Sequence, residues 1–229
     1  MSAATDTLLD DLEAIGDQFR VITDLLRDLL EQTGEELSDR FEDISDQETS
    51  GPDTGCVANS RNTGTVEGDI NVAGIVGSMA IEYDFDPEDD LIEEGDRSLD
   101  FRYQTKAVVR ACMNRGGVTG KRDYAGGVVG VNAQGSVTAC YHATGTVSGQ
   151  GNVGGIVGMN NNSGQTTACY WSSNPANGIG KMDSGTNGTI KVDGTTVTWQ
   201  NAVDAMNAAL NGSEWRYELT GELPTLKKQ

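Results

Sequence analysis

The chain has 229 residues and a formal charge of −19, from 35 acidic and 16 basic side chains. This balance argues against nucleic acid as a ligand, because phosphates are bound by clustered lysine and arginine, and against docking on anionic lipid. We interpret the acidity as solubility and surface exposure, with a surface for cations or a basic partner as the alternative. The 30 glycines and the hydrophobic content of 36% are unusual for one globular core, but they suit a repeat protein whose units each bury a thin strip.

An amphipathic helix is predicted over residues 5–32, where apolar side chains alternate at spacings of four and three residues. These side chains are Leu8, Leu12, Ile15, Phe19, Ile22, Leu26 and Leu29. The spacing is that of a coiled coil, so the segment is a candidate for helix-mediated self-association. Leu37, Phe41 and Ile44 predict a short second helix, and we expect a helical segment over residues 1–50.

Three near-copies of one five-residue phrase follow. They are AGIVG at 73–77, GGVVG at 126–130 and GGIVG at 154–158. Each phrase follows a cysteine, and the last three cysteines stand 28 and 29 residues apart. Self-similarity at such a period indicates a repeat architecture. The positions that define the repeat are Cys56, Gly74, Gly77, Cys112, Gly127, Gly130, Cys140, Gly155, Gly158 and Cys169.

Short β-favouring pieces between these positions alternate with glycine, asparagine and serine, which leaves no room for a long helix. They predict the rungs of a parallel β-solenoid over residues 51–182, with glycines that supply positive φ or close backbone approach at the corners. The predicted fold class is therefore mainly β: a parallel β-solenoid, or β-helix, with an N-terminal α-helical segment and a small C-terminal α+β cap.

The phrase and the cysteine-led segment before it resemble the GLUG motif of bacterial surface proteins. The clearest match runs from Cys140 to Gly158, and the resemblance covers about residues 54–180. It implies an exported, adhesin-like or structural protein. Because residues 1–30 hold no signal peptide, we expect Met1 to begin an excised piece of a longer secreted chain, with a cytoplasmic protein as the alternative.

An acidic segment at 78–111 interrupts the repeat. Insertions in repeat proteins form loops on one face and often bind partners. We predict a contact loop here, because aromatic side chains of the kind that anchor interfaces stand among or near the acids: Tyr83, Asp84, Phe85, Asp86 and Tyr103. The alternatives are a solvated acidic loop, a Ca²⁺ site without EF-hand spacing and, for the aromatic residues, packing on the solenoid flank.

The pattern changes again over residues 183–229. Asp193-Gly194 between two β-rich stretches predicts a two-residue hairpin. Residues 199–210 predict a helix, and residues 215–219 predict a last strand. Because an open solenoid end exposes unpaired strand groups, we expect this hairpin-helix-strand segment to cap it.

The residues that carry reactive groups are interpreted as structural. The cysteines lack the Cys-x-x-Cys spacing of zinc sites, so we expect a ladder of buried thiols, with disulfides between rungs as the alternative. His142 is the only histidine, and we expect it to face solvent at a repeat position shared with Ala58, Asn114 and Trp171. We predict no catalytic residue, no cofactor and no metal site.

These expectations combine into a non-enzymatic bacterial module of the cell surface or the extracellular space. It would display loops that bind host or matrix glycans or proteins. The alternative is an accessory region or a divergent enzyme that acts on extracellular polysaccharide. No apolar stretch approaches the length of a membrane span.

Overall fold

The computed structural model describes residues 21, 41–43, 55–79, 91–93, 101–103, 107–133, 135–161 and 164–229. Within these ranges the chain is mainly β, with helix α1 (Trp199–Ala209) near the C-terminus. The predicted helix over residues 5–32 lies outside the described residues, apart from Val21, which is helical. In chain order the strands are β1 (Phe41–Asp43), β2 (Cys56–Ala58), β3 (Arg61–Asn62), β4 (Val66–Gly68), β5 (Val72–Ala73), β6 (Val76–Met79), β7 (Leu91–Glu93), β8 (Phe101–Tyr103), β9 (Val108–Arg110), β10 (Met113–Asn114), β11 (Val118–Gly120), β12 (Ala125–Gly126), β13 (Val129–Ala133), β14 (Ser136–Thr138), β15 (Tyr141–His142), β16 (Val147–Ser148), β17 (Val153–Gly154), β18 (Val157–Asn161), β19 (Gln165–Thr167), β20 (Cys169–Trp171), β21 (Ile179–Met182), β22 (Thr189–Lys191), β23 (Trp215–Leu219) and β24 (Pro224–Lys228).

Most of these strands belong to four repeats: repeat 1 (55–79), repeat 2 (107–133), repeat 3 (135–161) and repeat 4 (164–182). Equivalent strands of successive repeats pair in parallel. The resulting sheets are sheet 1 (β2, β9, β14, β19), sheet 2 (β3, β10, β15, β20, β22), sheet 3 (β4, β11, β16), sheet 4 (β5, β12, β17) and sheet 5 (β6, β13, β18, β21). The predicted mainly β class with parallel, β-helix-like sheets is confirmed.

The register of the sheets follows the period in the sequence. Met113 pairs with Tyr141, and Tyr141 pairs with Tyr170, which are the 28- and 29-residue steps of the cysteines. Repeat 1 reaches Met79 and repeat 2 resumes its strands at Val108. The interruption between them is therefore shorter than the predicted 78–111.

The interrupting segment is more than a loop, because it contributes two strands to a separate sheet. Strand β8 pairs antiparallel with β7 and parallel with β1. These three strands belong to a compact unit distinct from the one that holds the repeats and the C-terminal segment. The predicted short helix around Phe41 is wrong at residues 41–43, because there the main chain is extended and pairs with β8, and such pairing overrides local propensity.

The core of the repeats consists of aliphatic ladders from sheets 1 and 5. Val109 and Val137 form one ladder, and Val129 and Val157 form another, all at most 1% exposed. Complete burial of each such side chain contributes about 1.5–3 kcal/mol. Val57, their counterpart in repeat 1, is only partly buried; among the described residues its strand β2 pairs with β9 of repeat 2 alone.

The corner between sheets 1 and 2 has positive φ in every repeat, and the residues there are not glycines. The angles are 54° at Asn59, 52° at Ala111, 51° at Ala139 and 49° at Ala168. The left-handed conformation costs an L-residue roughly 1–2 kcal/mol, so the stacking of the repeats must impose it. The phrase glycines have no such angle, so of the two roles expected of glycine, positive φ or close backbone approach, only the second applies to them.

The segment after repeat 4 contains no hairpin at Asp193-Gly194. Strand β22 instead joins sheet 2 in parallel with β20. The main-chain N–H groups of Val197, Thr195 and Thr196 donate to Asp193 Oδ1, and these bonds lower the pKa of the carboxyl to about 2. The aspartate therefore closes a local turn, and the antiparallel pair of this segment is β23 with β24.

Helix α1 and the β23–β24 pair pack on the flank of sheet 2. Thr198 and Asn201 form a capping box at the start of the helix. Side chains of α1 and β23, including Met206 and Tyr217, form one buried cluster with Tyr141 and Tyr170 of repeats 3 and 4. The segment thus covers a side of the stack across successive repeats, in addition to the pairing of its strand β22 with β20 of repeat 4.

Candidate functional site

The glycine at the second position of each phrase makes room for a side chain of the next repeat. A Cβ on Gly155 would lie less than 3.0 Å from three atoms of the Trp171 indole ring. The three pairs are Gly74 with Asn114, Gly127 with His142 and Gly155 with Trp171. These glycines are therefore packing requirements of the stack.

The last glycine of each phrase lets the main chains of neighbouring segments approach. A Cβ on Gly158 would lie 2.6 Å from the carbonyl oxygen of Gly130 and 2.8 Å from the carbonyl carbon of Tyr124. Real Cβ atoms essentially never come so close to another atom. The glycines at the second and last positions of the phrase thus permit two different kinds of close contact, the first with a side chain and the second with the main chain.

A ladder of N–H donors occupies one interior position in all four repeats. Its members are Asn62, Asn114, His142 and Trp171. Asn114 and His142 are fully buried, so the prediction that His142 faces solvent is wrong. Asn62 holds the repeat 1 position that was assigned to Ala58. For Asn114, His142 and Trp171, the phrase glycine of the preceding repeat leaves the space that the side chain fills.

Each member of this donor ladder binds a main-chain carbonyl shortly after it in the sequence. Asn62 Nδ2 donates to the Gly64 oxygen at 2.8 Å and Asn114 Nδ2 to the Gly116 oxygen at 3.1 Å. The histidine and tryptophan bonds follow the same pattern: His142 Nε2 with the Gly145 oxygen at 2.9 Å, and Trp171 Nε1 with the Pro175 oxygen at 3.0 Å. The ladder therefore fixes the chain where it leaves sheet 2.

Both ring nitrogens of His142 have interior partners. Nε2 donates to the Gly145 carbonyl, which leaves Nδ1 to accept from Asn114 Nδ2 at 3.1 Å. Burial lowers the pKa of His142 below its ordinary value, and the carbonyls of Gly145 and Asn114 partly oppose this shift. The neutral ring is the form that fits, and its polar atoms are used within the stack.

A second polar ladder lies in sheet 5, and the sequence analysis missed it. Asn132 and Asn160 are fully buried and pair in register. Asn132 Nδ2 lies 2.8 Å from Asn160 Oδ1, and Asn160 Nδ2 donates to the Gly164 oxygen at 2.7 Å. The recurring asparagine two residues after each of the last two phrases is the signal that marks it.

Three cysteines form the expected interior ladder of thiols. Cys112, Cys140 and Cys169 are fully buried. The Cys140 thiol donates to the Thr138 oxygen at 3.2 Å, and its sulfur lies 3.4 Å from the Cys112 main-chain nitrogen. Burial raises the pKa of Cys140 well above its ordinary value. These thiols are packed as small apolar groups.

Cys56 does not belong to this ladder. It is a thiol in β2, where it pairs in register with Val108 rather than Cys112. Because Arg61 pairs with Met113, the ladder position in repeat 1 falls on Ser60. The spacing to the last glycine of the phrase is similar: Cys112 and Cys140 each stand 18 residues before it, and Ser60 stands 17 residues before Gly77. Cys56 stands 21 residues before Gly77.

The predicted contact loop is mostly outside the described residues. Tyr83, Asp84, Phe85 and Asp86 all lie there, so their role stays a prediction. Tyr103 ends strand β8, where it pairs with Leu91 and with Asp43 in the backbone register.

A small open pocket of about 80 Å³ lies where repeats 1 and 2 meet the C-terminal strand β24. Its lining is part polar and part apolar, with two arginines among hydroxyl, amide and apolar side chains: Arg61, Asn62, Thr63, Met113, Arg115, Thr225 and Leu226. No carboxylate is among these lining residues. Sequence reasoning missed this pocket, which joins residues far apart in the chain.

Arg115 is held in place at one side of the pocket. Its Nε and Nη2 donate to the Tyr141 hydroxyl at 2.9 and 2.8 Å, and Nη2 also donates to the Pro224 oxygen at 2.7 Å. The Tyr141 hydroxyl donates in turn to the same oxygen at 2.6 Å. Burial raises the pKa of Tyr141, with Arg115 opposing the shift. This network anchors β24 and fixes the guanidinium.

The charge of the chain is divided very unevenly. Residues 55–79 and 107–229 contain nine of the 35 acidic side chains and ten of the 16 lysines and arginines. This part is therefore close to neutral, and the whole formal excess of acid lies in residues 1–54 and 80–106.

Comparison with protein-family models, with curated proteins and with solved structures found no match. Among the described residues, no three histidine, cysteine or acidic side chains gather as a metal site would require. No helix in the described part of the chain is both long and apolar enough to span a bilayer.

Proposed function

We propose that the chain is a non-catalytic module of a bacterial cell surface or secreted protein, whose GLUG-like repeats form a parallel β-solenoid. Its role is to present a rigid outer surface and the inserted segment to host or matrix glycans or proteins. The resemblance described above motivates the location and the class.

One observation carries this proposal: the histidine and three of the cysteines in the repeats are buried and hydrogen-bonded inside the stack. His142 has both ring nitrogens bonded inside the stack. The thiols of Cys112, Cys140 and Cys169 donate to main-chain carbonyls in the core. Groups placed in this way hold repeats together and cannot reach a substrate at the surface.

The outward-facing side chains of sheet 3 are suited to hydrogen bonding with a partner molecule. On sheet 3 the outward position holds Glu67, Thr119 and Ser148 in successive repeats, all exposed. The Ser148 hydroxyl lies 3.3 Å from that of Thr119. Two hydroxyls and a carboxylate at the strand spacing of about 4.8 Å can exchange hydrogen bonds with sugar hydroxyls or with the polar rim of a protein partner.

A binding and turnover experiment on the full chain tests the proposal. The protein is applied to an array of host and bacterial glycans and to immobilised matrix proteins, and bound glycans are then assayed for new reducing ends. We expect saturable binding to at least one ligand without cleavage. Release of reducing ends, or an absence of binding to every ligand, would contradict it.

The contribution of the inserted segment is tested by substitution rather than deletion. Removing residues 82–98 would also remove β7 and disturb its sheet, so the sharper variants are Tyr83→Ala and Phe85→Ala, with Tyr124→Ala in repeat 2 as the aromatic control. Weaker ligand binding with an unchanged melting temperature supports a contact loop. An unchanged affinity in both variants argues against it.

A further inference from the structure

The pocket beside β24 has the features of an anion site. Two guanidinium groups, from Arg61 and Arg115, line one small opening. Arginine forks bind carboxylates through two parallel charge-assisted hydrogen bonds. Arg61 is exposed and has no ion-pair partner among the described residues. The positive charge at this opening is thus unmatched by the residues that line it.

Arg115 is arranged to bind without reorganisation. The bonds to the Tyr141 hydroxyl and the Pro224 oxygen use Nε and Nη2, so the two N–H groups on Nη1 remain for a ligand. A side chain already held by its neighbours loses little conformational freedom on binding, which favours affinity.

We propose that this pocket binds the carboxylate of an acidic sugar, as part of a glycan at the cell surface or in the matrix. The inference rests on the proposed function and names its ligand class. The volume of about 80 Å³ suits a carboxylate with part of its sugar ring. The hydroxyl of Thr63 complements the hydroxyls of such a ring, while Met113 and Leu226 offer it an apolar face.

The described repeats and the C-terminal segment do not oppose an anion by their net charge, because residues 55–79 and 107–229 hold nine acidic and ten basic side chains. The attraction at the pocket is itself electrostatic. Binding of the acidic sugar therefore weakens as salt is raised from 0.05 to 0.5 M, in contrast to the binding of a neutral sugar.

The test uses the full chain with trigalacturonic acid and its fully methyl-esterified form, which differ only in the carboxylate charge. Affinities are measured by calorimetry for the unaltered protein, for Arg61→Gln and for Lys121→Gln, an exposed lysine of repeat 2 that does not line the pocket. Losing a charge-assisted pair should weaken the acid by about ten-fold or more. We expect that loss in Arg61→Gln, none in Lys121→Gln, and little binding of the ester.

Three results would overturn the inference: no binding of the acid, equal binding of acid and ester, or equal losses in the two variants. Melting temperatures verify that each variant is folded. The glycan and matrix-protein array separates the two levels of the argument. If the protein binds ligands on the array but Arg61→Gln does not weaken the binding of the acid, only the assignment of the pocket is wrong. If the protein binds nothing on the array, the proposed function is wrong.

Discussion

Replacing Gly155 with alanine tests whether the phrase glycines exist to hold the donor ladder. The added Cβ would lie less than 3.0 Å from the Cγ, Cδ1 and Nε1 atoms of Trp171, and its three nearest neighbours are all atoms of that ring. The ring cannot easily give way, because it is 5% exposed and its Nε1 donates to the Pro175 oxygen at 3.0 Å.

The magnitude follows from the packing. Forcing an extra methyl group into a filled core costs about 1–3 kcal/mol, and we expect the upper end because the obstacle is a fixed ring. Trp171→Ala alone should cost about 3–5 kcal/mol. In that background the clash is gone, and Gly155→Ala should be nearly neutral or stabilising by up to about 1 kcal/mol through the unfolded state. The coupling between the two sites is then about 2–4 kcal/mol.

Urea unfolding followed by circular dichroism measures all four proteins of this cycle. Fluorescence is avoided because one substitution removes a tryptophan. Gly117→Ala is the matched control: it lies in repeat 2, and the nearest atoms to its added Cβ are 3.7 Å away. If Gly155→Ala destabilises the Trp171→Ala protein as much as the unaltered one, then the need for glycine at position 155 does not come from packing against the Trp171 ring.

Four further predictions use the same unfolding assay. Because burial depresses the pKa of His142, the unfolded chain takes up the proton before the folded chain does as pH falls below about 6.5. The free energy of unfolding should therefore fall more steeply from pH 7 to 5 in the unaltered protein than in His142→Asn. Equal dependence on pH in the two proteins would refute this. His142→Leu should cost about 1–3 kcal/mol more than His142→Asn, since leucine leaves the Gly145 carbonyl unpaired; equal costs would show that only size matters. Tyr141→Phe should cost about 1–3 kcal/mol through the lost anchor of β24, and a smaller effect than 0.5 kcal/mol would place the anchor elsewhere. Asn71→Gly should stabilise by about 0.5–1 kcal/mol, because it relieves a left-handed φ of 56° worth about 1–2 kcal/mol and removes a buried Oδ1 with no partner among the described residues, against an entropic cost of glycine of about 0.5–1 kcal/mol; a lower urea midpoint would contradict it.

The repeat architecture could be predicted from the sequence because equivalent positions of a parallel stack recur at a constant spacing along the chain. The 28-residue recurrence of phrase and cysteine became the register of the sheets. The direction of individual side chains was not readable. Strands such as Met113–Asn114 and Tyr141–His142 have two residues each, so no alternation of polar and apolar residues can establish which one faces inward.

The C-terminal segment shows a related limit. Asp193-Gly194 was correctly placed in a turn, but turn chemistry alone does not specify the partner of the flanking strand. Strand β22 finds its partner in β20, where the edge of sheet 2 is open to parallel addition. The pocket was unpredictable for the same reason. Arg61 and Arg115 become neighbours only through the 52-residue register of β3 with β10, and Thr225 arrives by packing of β24.

The donor ladder explains how one interior position accepts asparagine, histidine and tryptophan, which differ widely in size and shape. What the three types share is an N–H group that reaches a carbonyl two to four residues later. A buried carbonyl without a donor costs free energy comparable to a lost hydrogen bond, so the position selects for the donor. The glycine beneath it removes the constraint on volume. The hydrogen-bonding chemistry of this position is therefore kept while the size of its side chain varies.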